Sequence, residues 1–79
     1  MEQNQDAGFF LEQIGELLEI LEKDSSEQKF YESLAEITDL ATYVDTNENK
    51  KKFWNTYCKI KNLDKQSQFI FLDLFLRDL

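Results

Sequence analysis

Glu12, Glu16, Glu19 and Glu22 stand three or four residues apart, and Glu32, Glu36 and Asp39 repeat the arrangement twenty residues after the first of them. On a helix such spacing lines carboxylates along one face. Paired carboxylates do general acid or base work only in a cleft that shifts their pKa values, and nothing in the sequence announces one. The chain has no histidine and a single cysteine, Cys58. No imidazole is therefore at hand to activate that thiol or a serine, the nitrogen and sulfur sets that hold zinc cannot be assembled, and no disulfide forms within the chain. A glycine-rich phosphate loop is also missing. We expect no enzyme, no cofactor and no metal, with Cys58 as a small packing residue. The carboxylates then read as a solvated helix face, as a face neutralised by the chain's own lysines, or as an acidic docking face made of Glu12, Glu16, Glu19, Glu32, Glu36 and Asp39.

A second cluster has the opposite character. In NKKKFWNTYCKIK, Lys50, Lys51, Lys52, Lys59 and Lys61 alternate with Phe53, Trp54 and Tyr57. Lysines can meet phosphates while aromatic rings stack on bases, so Lys50, Lys51, Lys52, Trp54 and Lys59 form an alternative nucleic-acid face. Against this, Phe53, Tyr57 and Ile60 recur at core spacing, and a net charge of −7 repels nucleic acid. The charge is two-sided: through Glu48 thirteen acids oppose two lysines, and from Asn49 onward seven bases oppose three acids.

The elements that must carry these faces are helices. There is no proline, and the only glycines are Gly8 and Gly15. The chain thus lacks the punctuation of strand-rich folds. Phe10, Ile14, Leu17 and Leu21 recur in steps of four and three, with Leu11 and Leu18 widening the stripe. A second stripe is Phe30, Leu34, Ile37, Ala41 and Val44, and a third is Phe53, Tyr57 and Ile60 with Trp54 beside it. The first two lines match over FFLEQIGELLEIL and KFYESLAEITDLA, an echo that two amphipathic helices of one bundle produce without any duplication. In each line a small residue, Gly15 or Ala35, sits between larger ones, where helices can approach closely. Asp24-Ser25-Ser26 interrupts the pattern, Ser25 and Gln28 are spaced for a capping box, and Asp64 can cap a last helix near Ser67.

That last segment, QFIFLDLFLRDL, is apolar nearly all round, with Asp73 and Arg77 four apart and able to pair. The expected fold is all-α: one domain over residues 1–79, a small antiparallel bundle of three to four helices with a strongly apolar C-terminal helix, and residues 1–7 as a frayed N-terminal tail. A strand over the alternating Ile70, Leu72, Leu74 and Leu76 is the weaker reading, since it has no partner edge.

A helix apolar on every side must be covered on every side, and a domain this small has little core to cover it with. We therefore expect a protein partner, with a homodimer as the default, and assign the association surface to Phe71, Leu74, Phe75 and Leu79. No apolar run reaches the length of a membrane span, there is no basic leader at the start, and the acids of the last segment argue against a membrane surface. The expectation is a cytoplasmic regulator, adaptor or inhibitor that occupies a partner surface, with the lysine-rich third helix as the nucleic-acid alternative.

Overall fold

The computed structural model describes the backbone from Glu2 to Leu79 and the side chains from Leu11 onward. Five helices are present among the described residues: α1 Glu2–Lys23, α2 Glu27–Glu36, α3 Thr38–Tyr43, α4 Asn47–Ile60 and α5 Lys65–Arg77. There is no strand among the described residues, so the alternating last segment folds as helix. The expected tail over residues 1–7, and the Phe10 end of the first stripe, lie outside the described side chains.

Short polar joints start α2, α4 and α5 by the same device, a side-chain oxygen that accepts from an otherwise unpaired backbone amide. Ser26 Oγ accepts from Lys29 N at 3.2 Å and caps α2. The cap thus falls one residue after the expected Ser25, because Asp24 Oδ1 accepts from Ser26 N at 3.1 Å and folds the joint back on itself. With lysine three residues after the cap, the expected box with Gln28 does not form. Thr46 Oγ1 accepts from Asn49 N at 3.0 Å and caps α4, a role hidden in the sequence by the surrounding polar run. Asp64 caps α5 as expected, its Oδ2 accepting from Ser67 N at 3.1 Å.

The expected second helix is two helices. Ile37 leaves the helical region at φ −83° and ψ 96°, although its N–H still donates to Ser33 O at 3.0 Å. Neither glycine nor proline is there to break the helix, so the cause is tertiary. Leu40, three residues after Ile37 and four before Val44, is fully buried, and Ala41 is only half-buried.

One core joins the helices. α1 contributes Ile14, Leu17, Leu18 and Leu21; Phe30, Leu34, Ile37, Leu40 and Val44 follow; α4 adds Phe53, Tyr57 and Ile60; and α5 adds Leu72 and Leu76. Phe30 is its aromatic hub, with ring centroids of Phe53 at 5.3 Å and Trp54 at 5.2 Å. Edge-on and offset contacts of this kind add about 0.5–1.5 kcal/mol beyond area burial. Of the small residues, Gly15 faces the Phe69 ring, but a Cβ there would lie 3.5 Å from Phe69 Cζ, in ordinary van der Waals contact, so no close helix approach requires the glycine. Ala35 is exposed. Leu11 is likewise 43% exposed, outside the buried stripe. Seven residues after Gly15, Glu22 pairs with Lys65, so the two contacts run in reverse order along α5.

Candidate interaction surfaces

α5 has to serve two sides at once. Leu72 and Leu76, four apart, turn into the core and are fully buried. The opposite side carries Ile70, Phe71 and Leu74, which are 52%, 48% and 56% exposed. The sequence-expected association residues therefore divide. Phe71, Leu74 and Leu79 are exposed, whereas Phe75 is half-buried with its ring stacked on Phe53 at 5.3 Å. Ile70, four residues before Leu74 and not among the expected association residues, is exposed on the same side.

The outer face is held in place at both ends. Asp64 Oδ1 accepts from Ser67 Oγ at 2.9 Å, and Gln68 Nε2 donates to Lys61 O at 2.9 Å and Leu63 O at 3.0 Å, tying the start of α5 to the preceding joint. The Ser67 hydroxyl, then its backbone amide, holds the Asp64 carboxyl below its ordinary range. At the far end Arg77 Nε donates to Asp73 Oδ2 at 2.9 Å, the pair expected from the sequence. Between Phe71, Leu74, Phe75, Arg77 and Asp78 lies a shallow cleft of about 490 Å³. Its walls are apolar side chains with a guanidinium and a carboxylate at the rim, a composition that can seat an apolar side chain but has no group poised for bond making.

All six residues of the acidic docking face, Glu12, Glu16, Glu19, Glu32, Glu36 and Asp39, are exposed. Glu32 accepts from Gln28 Nε2 at 3.2 Å on its own helix. Among the described residues Glu22 reaches across the fold, and its partner Lys65 is on α5, not on lysine-rich α4.

On α4, Lys51, Lys52 and Lys59 are exposed and Lys50 is half-buried. Lys52 lies 3.8 Å from Glu48 within the helix. Lys50 and Lys51 line a cleft of about 380 Å³ with Tyr31 and Asn47. Burial, followed by the nearby Glu27 carboxylate, pushes the Tyr31 phenol up from its ordinary value. Trp54 is half-buried, its ring 5.2 Å from Phe30 and 5.8 Å from Tyr57. Cys58 is half-buried on the same helix.

No group of three or more histidine, cysteine or acidic side chains that could hold a metal ion occurs among the described residues. Nor is any helix among them long and apolar enough to cross a membrane. Compared with protein-family models, with curated proteins and with solved structures, the chain finds no match.

Proposed function

We propose that the protein is a non-catalytic protein–protein interaction module, a small regulator, adaptor or inhibitor that acts by occupying a partner surface. The observation that carries this reading is the outer side of α5, where Ile70, Phe71 and Leu74 are each about half exposed on successive turns of a helix whose inner side already fills the core. Exposed apolar patches larger than a few hundred Å² mark interaction sites, and even the largest patch of an ordinary small protein is often functional. The exposed carboxylates of α1, α2 and α3 steer a basic partner surface toward the molecule and fix its orientation. α5 packs antiparallel to α1 in this reading, supported by the reversed order of the Gly15 and Glu22 contacts. Nucleic-acid binding through α4 fits less well, because the indole of Trp54 rests on Phe30 and Tyr57 instead of standing free to stack on a base.

A photo-crosslinking amino acid placed at 70, 71 or 74 tests this in cells that express the chain. Each of these positions should give a discrete protein adduct, while the same group at exposed Asn55 on α4 should not. Equal, diffuse labelling from all four positions would remove the basis for the proposal.

A further inference from the structure

We infer that the cleft where α1, α4 and α5 meet is a binding site for a small amphipathic carboxylate, with its apolar body on Leu18, Leu21 and Leu63 and its head group on the Tyr57 hydroxyl and the Lys61 ammonium. The site is separate from the outer face of α5 and does not depend on the interaction reading above.

The cleft, of about 480 Å³, lies between the end of α1, the end of α4 and the start of α5. Small molecules bind in spaces of this size, where an apolar lining is joined by a few convergent polar groups. Leu18 and Leu21 are its buried floor. Leu63, 42% exposed, stands beside them as apolar surface that the body of a ligand covers.

Tyr57 is the polar group that the fold leaves unspent. The residue is 6% exposed, with Phe30 stacked on its ring at 6.0 Å and Trp54 at 5.8 Å, and it lines the cleft. Its hydroxyl has no hydrogen-bond partner among the described residues, although a buried phenol ordinarily finds one. Nor is that oxygen sealed in the core, as Ser33 Oγ and Asp73 Oδ1 are. Burial, then Cys58, then the Glu22 carboxylate on the cleft wall push the phenol up from its ordinary value. With the ring held among aromatics and Glu22 near its hydroxyl, the polar end of Tyr57 points into the cleft.

The remaining polar groups decide the sign of the ligand. Glu22 is taken by Lys65, and the carbonyls of Lys61 and Leu63 accept from Gln68 Nε2 at 2.9 and 3.0 Å. The donors are not taken: the Ser25 hydroxyl, the Asn62 amide and the Lys61 ammonium on the same wall make no hydrogen bond or ion pair among the described residues. Lys61 and Lys65 against Glu22 also leave the wall locally positive. The net charge of −7 acts from farther off, and physiological salt screens it beyond about 8 Å. A carboxylate accepts from several donors at once. An ammonium head group meets a Glu22 that is already paired.

An NMR titration of the isotope-labelled full chain with octanoate, octanol and octylammonium, at about 150 mM salt, separates the head group from the tail. Octanoate should shift the amides of Leu21, Lys61 and Leu63 saturably and bind about tenfold more tightly than octanol, through charge-assisted hydrogen bonds. Tyr57→Phe removes a hydroxyl that holds nothing else, so octanoate should bind about fivefold more weakly with no loss of melting temperature. Lys61→Gln, at an exposed side chain, should cut the preference for octanoate over octanol by about fivefold while octanol binds as before. Tighter binding of octylammonium than of octanoate at these amides would overturn the carboxylate and assign the head group to Glu22. Equal binding of octanoate and octanol, shifts that never saturate, or octanoate shifts confined to Ile70, Phe71 and Leu74 would overturn the site.

Discussion

Gly15 stands mid-helix in α1, where glycine is about 1 kcal/mol less favourable than alanine. A Cβ built there meets Phe69 Cζ at 3.5 Å and Cε1 at 3.7 Å, ordinary van der Waals contact. Alanine therefore fits without displacing the ring and gains a few tenths of a kcal/mol of dispersion. Gly15→Ala should stabilise the fold by about 1 kcal/mol, which for a chain of this size raises the melting temperature by about 4–8 °C. Leucine adds three more carbons on the side where the Phe69 ring lies. Overpacking of that kind costs about 1–3 kcal/mol and outweighs the helix-propensity gain. Gly15→Leu should therefore melt below the Gly15→Ala chain by at least the full alanine increment. Urea denaturation followed by circular dichroism, with equal slopes in the two variants, gives both numbers. An alanine variant no more stable than the parent, or a leucine variant as stable as the alanine one, would refute the placement of Phe69 over Gly15.

Three further outcomes follow from single side chains. The Ser33 hydroxyl is buried and has no hydrogen-bond partner. Since an unsatisfied buried donor costs about 1–3 kcal/mol, Ser33→Ala should raise stability by about 1 kcal/mol, and a lower midpoint in urea would show that the hydroxyl is satisfied. Phe75, stacked on Phe53, should cost about 3 kcal/mol when cut to alanine, whereas Leu74→Ala should stay within about 0.5 kcal/mol at concentrations where the chain is monomeric. Similar losses at the two positions in thermal melts would contradict the assignment of Phe75 to the core and Leu74 to the surface. Asp64 titrates lower in the folded chain than in the unfolded one, through Ser67. Its contribution is complete above the unfolded value of about 4 and is lost as pH falls through the folded value. Asp64→Asn keeps an acceptor but does not titrate, so its stability should fall less steeply than the parent's as pH drops below about 4; superimposable acid profiles would count against the cap's charge.

The helices themselves were legible because period and punctuation agree. The steps of Ile14, Leu17 and Leu21, and of Phe53, Tyr57 and Ile60, survive intact in the buried core, and Asp64 caps where its spacing from Ser67 places it. The break at Ile37 was not legible, since no local residue causes it and the apolar steps run straight through. The echo between the two lines is accordingly one of burial and not of backbone. Ile14 and Leu17 match buried Leu34 and Ile37, yet α1 continues through its line while the second line turns into α3.

On α5 the excess of apolar residues was plain in the sequence, but its direction was not. A helix apolar on all sides offers no internal cue to its inner face; Phe53 on α4 and Gly15 on α1 supply it by drawing in Phe75 and Phe69. What remains outside, Ile70, Phe71 and Leu74, sits on a molecule whose lysines on α4 are not spent on the acidic faces: Lys51, Lys52 and Lys59 stay exposed, and so do Glu12, Glu16, Glu19, Glu32, Glu36 and Asp39. The apolar surface of α5 therefore works in a net negative field, and the sign of the salt effect distinguishes its occupants. A basic partner is drawn in by that field and binds more weakly as salt rises. A second copy is held off by it and binds more tightly, so titrating salt at fixed protein concentration separates the two before either partner is identified.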